Sequence, residues 1–236
     1  MILMSSQHVR DMLSKIQQFL DRYRHLINVI GTLGRINSRP QSAIYECYSL
    51  SELALQLERA GWSVNLDNIQ NGEFRFKTST MGDPNNFSYI IIDKNGLTLE
   101  VRQQMRISGR WGSFTPDICI IQLNSLRSFD FSNFSLHNRH LENFIECKHM
   151  EPYPMSCASF VGILYVLNRW NRSNLKSNRG FPAMAFYSNF SRSVNVGNII
   201  TRFNSKMNTF ANAIFDGISP NSPRLTDLRN YLQSFP

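Results

Sequence analysis

The sequence predicts an α/β (α+β) protein in which helices flank a mixed central sheet, with an extra long helix at the N-terminus. Three observations predict it. Apolar residues recur at alternating four- and three-residue spacing over 7–36. Short segments rich in Val, Ile and Phe crowd positions 62–123. A nearly all-apolar stretch at 155–170 lies between two further strand-like runs.

Residues 7–36 read as one long helix whose Val9, Leu13, Ile16, Leu20, Tyr23, Ile27 and Ile30 form an a/d stripe over roughly three heptads. Such a stripe packs on its own chain or zips against a partner. Gly31, Gly34 and Asn37–Gln41 break it. A second helix, from Ser42 to Ala60, keeps Ile44, Tyr48, Leu53, Leu57 and Ala60 at helical spacing, with Gly61 as its stop. Strands are expected at Trp62–Asn68, Glu73–Thr80, Phe87–Asp93 and Leu97–Met105, with a hairpin turn at Asp93–Gly96. Asp117–Leu123 and Asn143–His149 are apolar runs suited to buried strands. Met155–Trp170, apolar almost all round, predicts a buried helix. A strand at Phe181–Asn189 and a helix at Gly197–Phe215 follow. Ser222 and Pro223 open a last short helix as N-cap and N1.

Composition narrows the function classes. Apolar residues make up 42% of the chain and include 17 Phe, which is enough for a core and excludes wholesale disorder. No run approaches the length of a membrane span, and the N-terminus lacks the basic-then-apolar pattern of a secretory signal. Cys47, Cys119, Cys147 and Cys157 form no CxxC pair and mostly sit in apolar surroundings, so they read as reduced core residues of a cytoplasmic protein. Net charge is +8, and 19 of the 25 cations are Arg. Guanidinium forks match phosphate oxygens and stack on bases, so a polyanion, nucleic acid first, is the expected partner. Walker A, GxGxxG and GxSxG motifs are absent from the sequence.

The chemistry gathers at two strands. Asp117 follows Pro116 at the mouth of one, and Glu146-Cys147-Lys148 lies within the other. Strand side chains alternate, so Glu146 and Lys148 share a face while Ile145 and Cys147 take the opposite one. If the strands are neighbours, Asp117 meets Glu146. Two carboxylates at that distance repel unless a cation sits between them. Mg²⁺ (or Mn²⁺) takes hard oxygen ligands and keeps several waters, which suits such a pair. Lys148, one pleat on, can orient a water or steady charge on a phosphate. A strand-end salt bridge between Glu146 and Lys148 is the plain alternative.

Pro116-Asp117 with Glu146-Cys147-Lys148 resembles the motif of the PD-(D/E)xK nuclease superfamily, the restriction-endonuclease-like fold, over roughly residues 40–217. The resemblance implies an acid on the preceding helix, where Glu46 stands and Glu52 is its rival. Glu100 is a third acid, more simply read as exposed strand polarity. It also implies a helix and a strand after the lysine. The division that follows is an N-terminal helix at 1–39 for packing or dimerisation, a nuclease-like domain at 40–217 and a helical tail at 218–236. The implied activity is metal-dependent endonucleolytic hydrolysis of DNA, as a host-defence or restriction function. Asp117, Glu146 and Glu46 would hold metal, and Lys148 would act with them in catalysis. The alternatives are a catalytically silent nucleic-acid-binding or assembly module, or a repair or recombination nuclease subunit that a partner activates. Arg106 and Arg110 before the Asp117 strand, and Arg172 and Lys176 after the apolar helix, are the candidate nucleic-acid contacts, with Arg102 and Trp111 beside the first group.

Overall fold

The computed structural model describes residues 6–109, 111–150, 152–166, 183–188, 198, 200–202, 204–205 and 213–234. Its helices are α1 (Ser6–Asp21), α2 (Val29–Asn37), α3 (Gln41–Arg59), α4 (Pro154–Val166) and α5 (Arg224–Gln233). Its strands are β1 (Ser63–Asp67), β2 (Tyr89–Lys94), β3 (Leu97–Gln103), β4 (Ile107–Gly109), β5 (Gly112–Phe114), β6 (Ile118–Gln122), β7 (Leu136–His137), β8 (Leu141–Lys148), β9 (Met184–Tyr187) and β10 (Ala213–Phe215).

The expected long N-terminal helix is two helices. Between them the Tyr23 hydroxyl donates to the Val64 carbonyl at 2.7 Å. Asn28 then caps α2 by accepting from the Gly31 N–H at 3.1 Å. Residues 22–26 are turns, with the Leu26 N–H on the Tyr23 carbonyl, and the Asn28 cap starts the second helix, which unbroken heptad spacing alone did not reveal. The stripe is nevertheless spent within the chain. Met12, Ile16, Phe19 and Leu20 are fully buried as α1 packs on α3, each contributing roughly 1.5–3 kcal/mol. Ile30 is left out, at 84% exposure. In α3, Ile44, Tyr48, Leu53, Leu57 and Ala60 are all buried, and the chain leaves through Gly61 at φ +88°, a conformation that disfavours a side chain.

Seven strands form the main sheet in the order β1-β2-β3-β6-β8-β9-β10. Pairing is antiparallel from β1 to β8 and parallel from β8 through β9 to β10. The β2–β3 hairpin turns at Asn95 and Gly96, both at positive φ, as a two-residue primed turn requires. One face carries a core shared by α1, α3 and α5. The other carries a second core formed with α4 and a small β5-β4-β7 sheet. Residues on both sides of positions 39 and 218 contribute to the first core.

Three further expectations change. Residues 73–80 pair only as an isolated bridge between Gln70 and Glu73. Side chains anchor the segment instead: Phe74 packs edge-on to Phe19, and the Arg75 N–H donates to Ser88 Oγ. Residues 213–215, expected to end a helix, are strand β10 instead. The Ile214 backbone there is bound by the Asn204 side chain and paired with β9. α4 is also not buried all round. Cys157, Phe160, Ile163 and Leu164 face the core, while Met155 is 73% exposed. An apolar composition concealed this one-sided burial. The last helix begins one residue later than expected, with Pro223 and not Ser222 at its N-cap, although Ser222 Oγ accepts from the Arg224 N–H. The four cysteines are buried and unbridged. Among the described residues no helix is long and apolar enough to cross a membrane.

Candidate active site

β6 and β8 are neighbours at the middle of the sheet, paired Ile118 to Ile145. That register sets Asp117 beside the Glu146–Cys147 step. The Cys147 N–H donates to Asp117 Oδ2 at 2.7 Å. Ile145 and Cys147 enter the helix-side core and Phe144 the opposite one, so Glu146 and Lys148 project from the face that strand alternation predicts. Lys148 Nζ donates to Glu146 Oε2 at 2.8 Å, and the other Glu146 oxygen is buried without a hydrogen-bond partner.

Glu46 reaches the same place from α3. The link is Gln104, a residue the sequence reading did not single out. Its backbone N–H extends the β3–β6 ladder to the Asp117 carbonyl at 3.0 Å. Its Nε2 donates both to Glu46 Oε2 at 2.8 Å and to Asp117 Oδ1 at 3.1 Å. Gln104 holds φ +50°, an uncommon conformation for a side-chain-bearing residue and one that accompanies functional sites. Lys77, also missed, is buried and donates to the Gln104 carbonyl at 2.8 Å and to the Ser79 carbonyl. A lysine inside a phenylalanine-rich run was the available signal, since an ammonium is buried only where carbonyls or acids receive it.

The electrostatics follow from three carboxyls in one low-dielectric place. Burial, then the Asp117 charge, pushes Glu146 up to about 7. The same two causes, in the same order, push Glu46 up to about 7, against the Gln104 hydrogen bond and the Lys148 charge. Burial also raises Asp117, opposed by Lys148 and by the Cys147 and Gln104 donors. At Lys148 burial acts to lower the pKa but is outweighed by Glu146 and its hydrogen bond, and the net direction is up. Glu46 and Glu146 therefore keep, near neutral pH, protons that an ordinary carboxyl would have lost.

The rival acids lie elsewhere. Glu52 accepts from Gln56 Nε2 at 2.6 Å, and Gln56 in turn accepts from Arg229 of α5. Glu100 is not exposed strand polarity: it is 2% exposed, and it accepts from Arg102 Nε at 2.6 Å and the Asn124 N–H at 2.7 Å. Arg102, stacked 3.4 Å from the Tyr89 ring centroid, is buried and closed to a polymer. Arg106 is exposed, donates to Ser113 Oγ and lines a groove of about 1140 Å³. Phe114 and Thr115 in the groove wall lead directly to Pro116-Asp117. Phe134 lines it too, 54% exposed. Arg110, Arg172 and Lys176 lie outside the described residues.

Among the described residues no group of three or more His, Cys, Asp or Glu side chains is arranged to hold a metal ion. The carboxyls meet instead through Gln104 and Lys148. Comparison with protein-family models, curated proteins and solved structures gives no match.

Proposed function

We propose that the protein is a metal-dependent endonuclease that hydrolyses DNA phosphodiester bonds at Asp117, Glu146 and Lys148, with Glu46 contributing from α3. The observation that carries this reading is the buried, unpartnered Glu146 oxygen beside Asp117, one pleat from Lys148. The element order supports a restriction-endonuclease-like core: an acid-bearing α3, the antiparallel run β3-β6-β8, then α4 and a parallel β9.

The unpartnered Glu146 oxygen beside Asp117 suits a hard divalent cation that keeps several waters, while among the described residues no three or more ligands form a closed cage. Asp117 and Glu146 would hold it, with Glu46 in support. When bound, such an ion polarises a phosphate oxygen and lowers the pKa of a water. Lys148, which is half-buried and points from the same strand face as Glu146, orients the attacking water and offsets charge developing on the phosphate. Gln104 fixes the Glu46 and Asp117 carboxyls relative to each other. The groove beside Thr115 receives the polymer, with Arg106 against its phosphates.

Plasmid nicking with Mg²⁺, Mn²⁺ and EDTA arms tests this. Cutting is expected in the metal arms only, and Asp117→Ala and Lys148→Ala are expected to abolish it while the fold and DNA affinity persist. Undiminished cutting by Lys148→Ala would discard the assignment.

A second reading, a catalytically silent nucleic-acid-binding module, has its own support: Lys148 is paired with Glu146, and Gln104 satisfies Glu46 and Asp117. Salt-sensitive DNA binding with no cutting in any arm favours it.

A further inference from the structure

A second cavity, of about 480 Å³, lies where α2 faces the irregular 74–78 segment, and the nuclease reading does not use it. Arg35, Arg39 and Arg75 all line it. Arg35 is paired with Glu73 at 2.8 Å. Arg75 donates to the neutral Gln70, and among the described residues neither Arg75 nor Arg39 has a carboxylate partner. The pocket thus carries three guanidiniums against one acid. The half-buried Phe76 and Phe87 rings form apolar walls beside those cations. Thr32, 2% exposed, also lines it, and its hydroxyl oxygen has no hydrogen-bond partner.

Each feature points to part of a ligand. Guanidinium forks without acids suit phosphate oxygens, which bind them bidentately. Aromatic walls next to cations suit a planar ring that stacks. An unsatisfied buried hydroxyl is costly and calls for a polar partner. The volume falls within the usual range for a pocket holding one small molecule. We infer that this cavity is a binding site for a phosphorylated nucleoside, its phosphate on Arg39 and Arg75 and its base against Phe76 and Phe87.

The cavity is separate from the candidate active site and is linked to it by a relay of side-chain contacts. Phe87 lies under Lys77 Nζ at 5.5 Å, and Lys77 holds the Gln104 carbonyl. Gln104 is the residue that joins Glu46 and Asp117.

Titration calorimetry on the full chain tests the inference. The probes are AMP, GMP, CMP and UMP, with inorganic phosphate and adenosine as the separated halves and a short single-stranded oligonucleotide as the polymer arm. At least one nucleotide is expected to bind saturably, about tenfold or more tighter than phosphate or adenosine alone. The double variant Arg39→Gln/Arg75→Gln is expected to weaken it about tenfold or more. The isosteric Thr32→Val, at unchanged melting temperature, is expected to weaken it less. No saturable nucleotide binding, phosphate binding as tightly as the nucleotide, or binding of the oligonucleotide alone would overturn the inference. So would unchanged nucleotide affinity in both variants, and the Thr32→Val arm decides the matter if the double variant fails to fold. Binding is read without cleavage, so this outcome is independent of the nuclease reading.

Discussion

The sheet carries the same short pattern twice, an acid and a base two residues apart on one strand face. Glu100 and Arg102 stand on β3, and Glu146 and Lys148 on β8. Both form ion pairs, at 2.6 and 2.8 Å, and the register sets the β3 pair opposite Cys119–Ile121 of β6 and the β8 pair beyond its Ile118 end. The β3 pair is closed. Both Glu100 oxygens have donors, and Arg102 is stacked on Tyr89. The β8 pair is open: one Glu146 oxygen has no donor, Lys148 is partly exposed, and two more carboxyls crowd in through Asp117 and Gln104. An ion pair with every valence met stabilises a fold. One with an unmet carboxyl oxygen among neighbouring acids holds a proton that a cation can replace.

That contrast can be broken most directly by activity. Lys148→Ala is expected to slow DNA cutting about 100-fold or more, whereas folded Arg102→Ala keeps it. Equal losses in a nicking assay would erase the distinction between the two pairs.

Stability should separate them in the opposite sense. Removing Arg102 strands a carboxylate buried at 2% exposure, at a cost of about 3–5 kcal/mol. Lys148→Ala should cost less, because Glu146, already pushed up to about 7, can take a proton. Urea unfolding of both variants at pH 6.5 measures the order, and a larger loss for Lys148→Ala would contradict it.

The last contrast is a pH dependence confined to the open pair and its neighbour Glu46. Glu46 and Glu146 sit at about 7 in the folded state, above the ordinary carboxyl value near 4.5. Between those values the folded protein holds protons that the unfolded chain has lost. Their contribution is therefore complete below about pH 4.5 and is lost as pH rises through 7. Lys148, raised above the ordinary lysine value, does not titrate in this window. Melting scans from pH 5 to 8 without metal should show the fall, and Mn²⁺ at pH 8 should reverse it. A flat profile would mean that the carboxyls are not crowded.

Much of the fold was legible because local patterns encode it. The α3 stripe, the Asn95-Gly96 turn and the apolar β6 and β8 runs each follow from periodicity or turn chemistry. Asp117, Glu146 and Lys148 were legible as candidates because an acid or base on an apolar strand is costly without a partner. Glu100 and Arg102 followed the same rule, yet Glu100 was read as surface, since burial on a strand's second face depends on what covers that face. The break at residue 22, the side-chain anchoring of 73–80 and the exposed face of α4 were hidden for a related reason. Each depends on residues distant in the chain, namely Val64, Phe19 and Ser88, and the core against which α4 packs.

By itself the sequence determined the two-sided apolar sheet, most of its helices and the residue types able to hold charge, because these arise from side-chain periodicity and local backbone preference. Tertiary structure alone decided that Glu46, Gln104 and Asp117 meet and that Lys77 supports them. It also decided which of two similar ion pairs is closed. Hydrogen-bond partnership and burial are properties of neighbours in space, and here those neighbours come from α3, β3, β6 and β8.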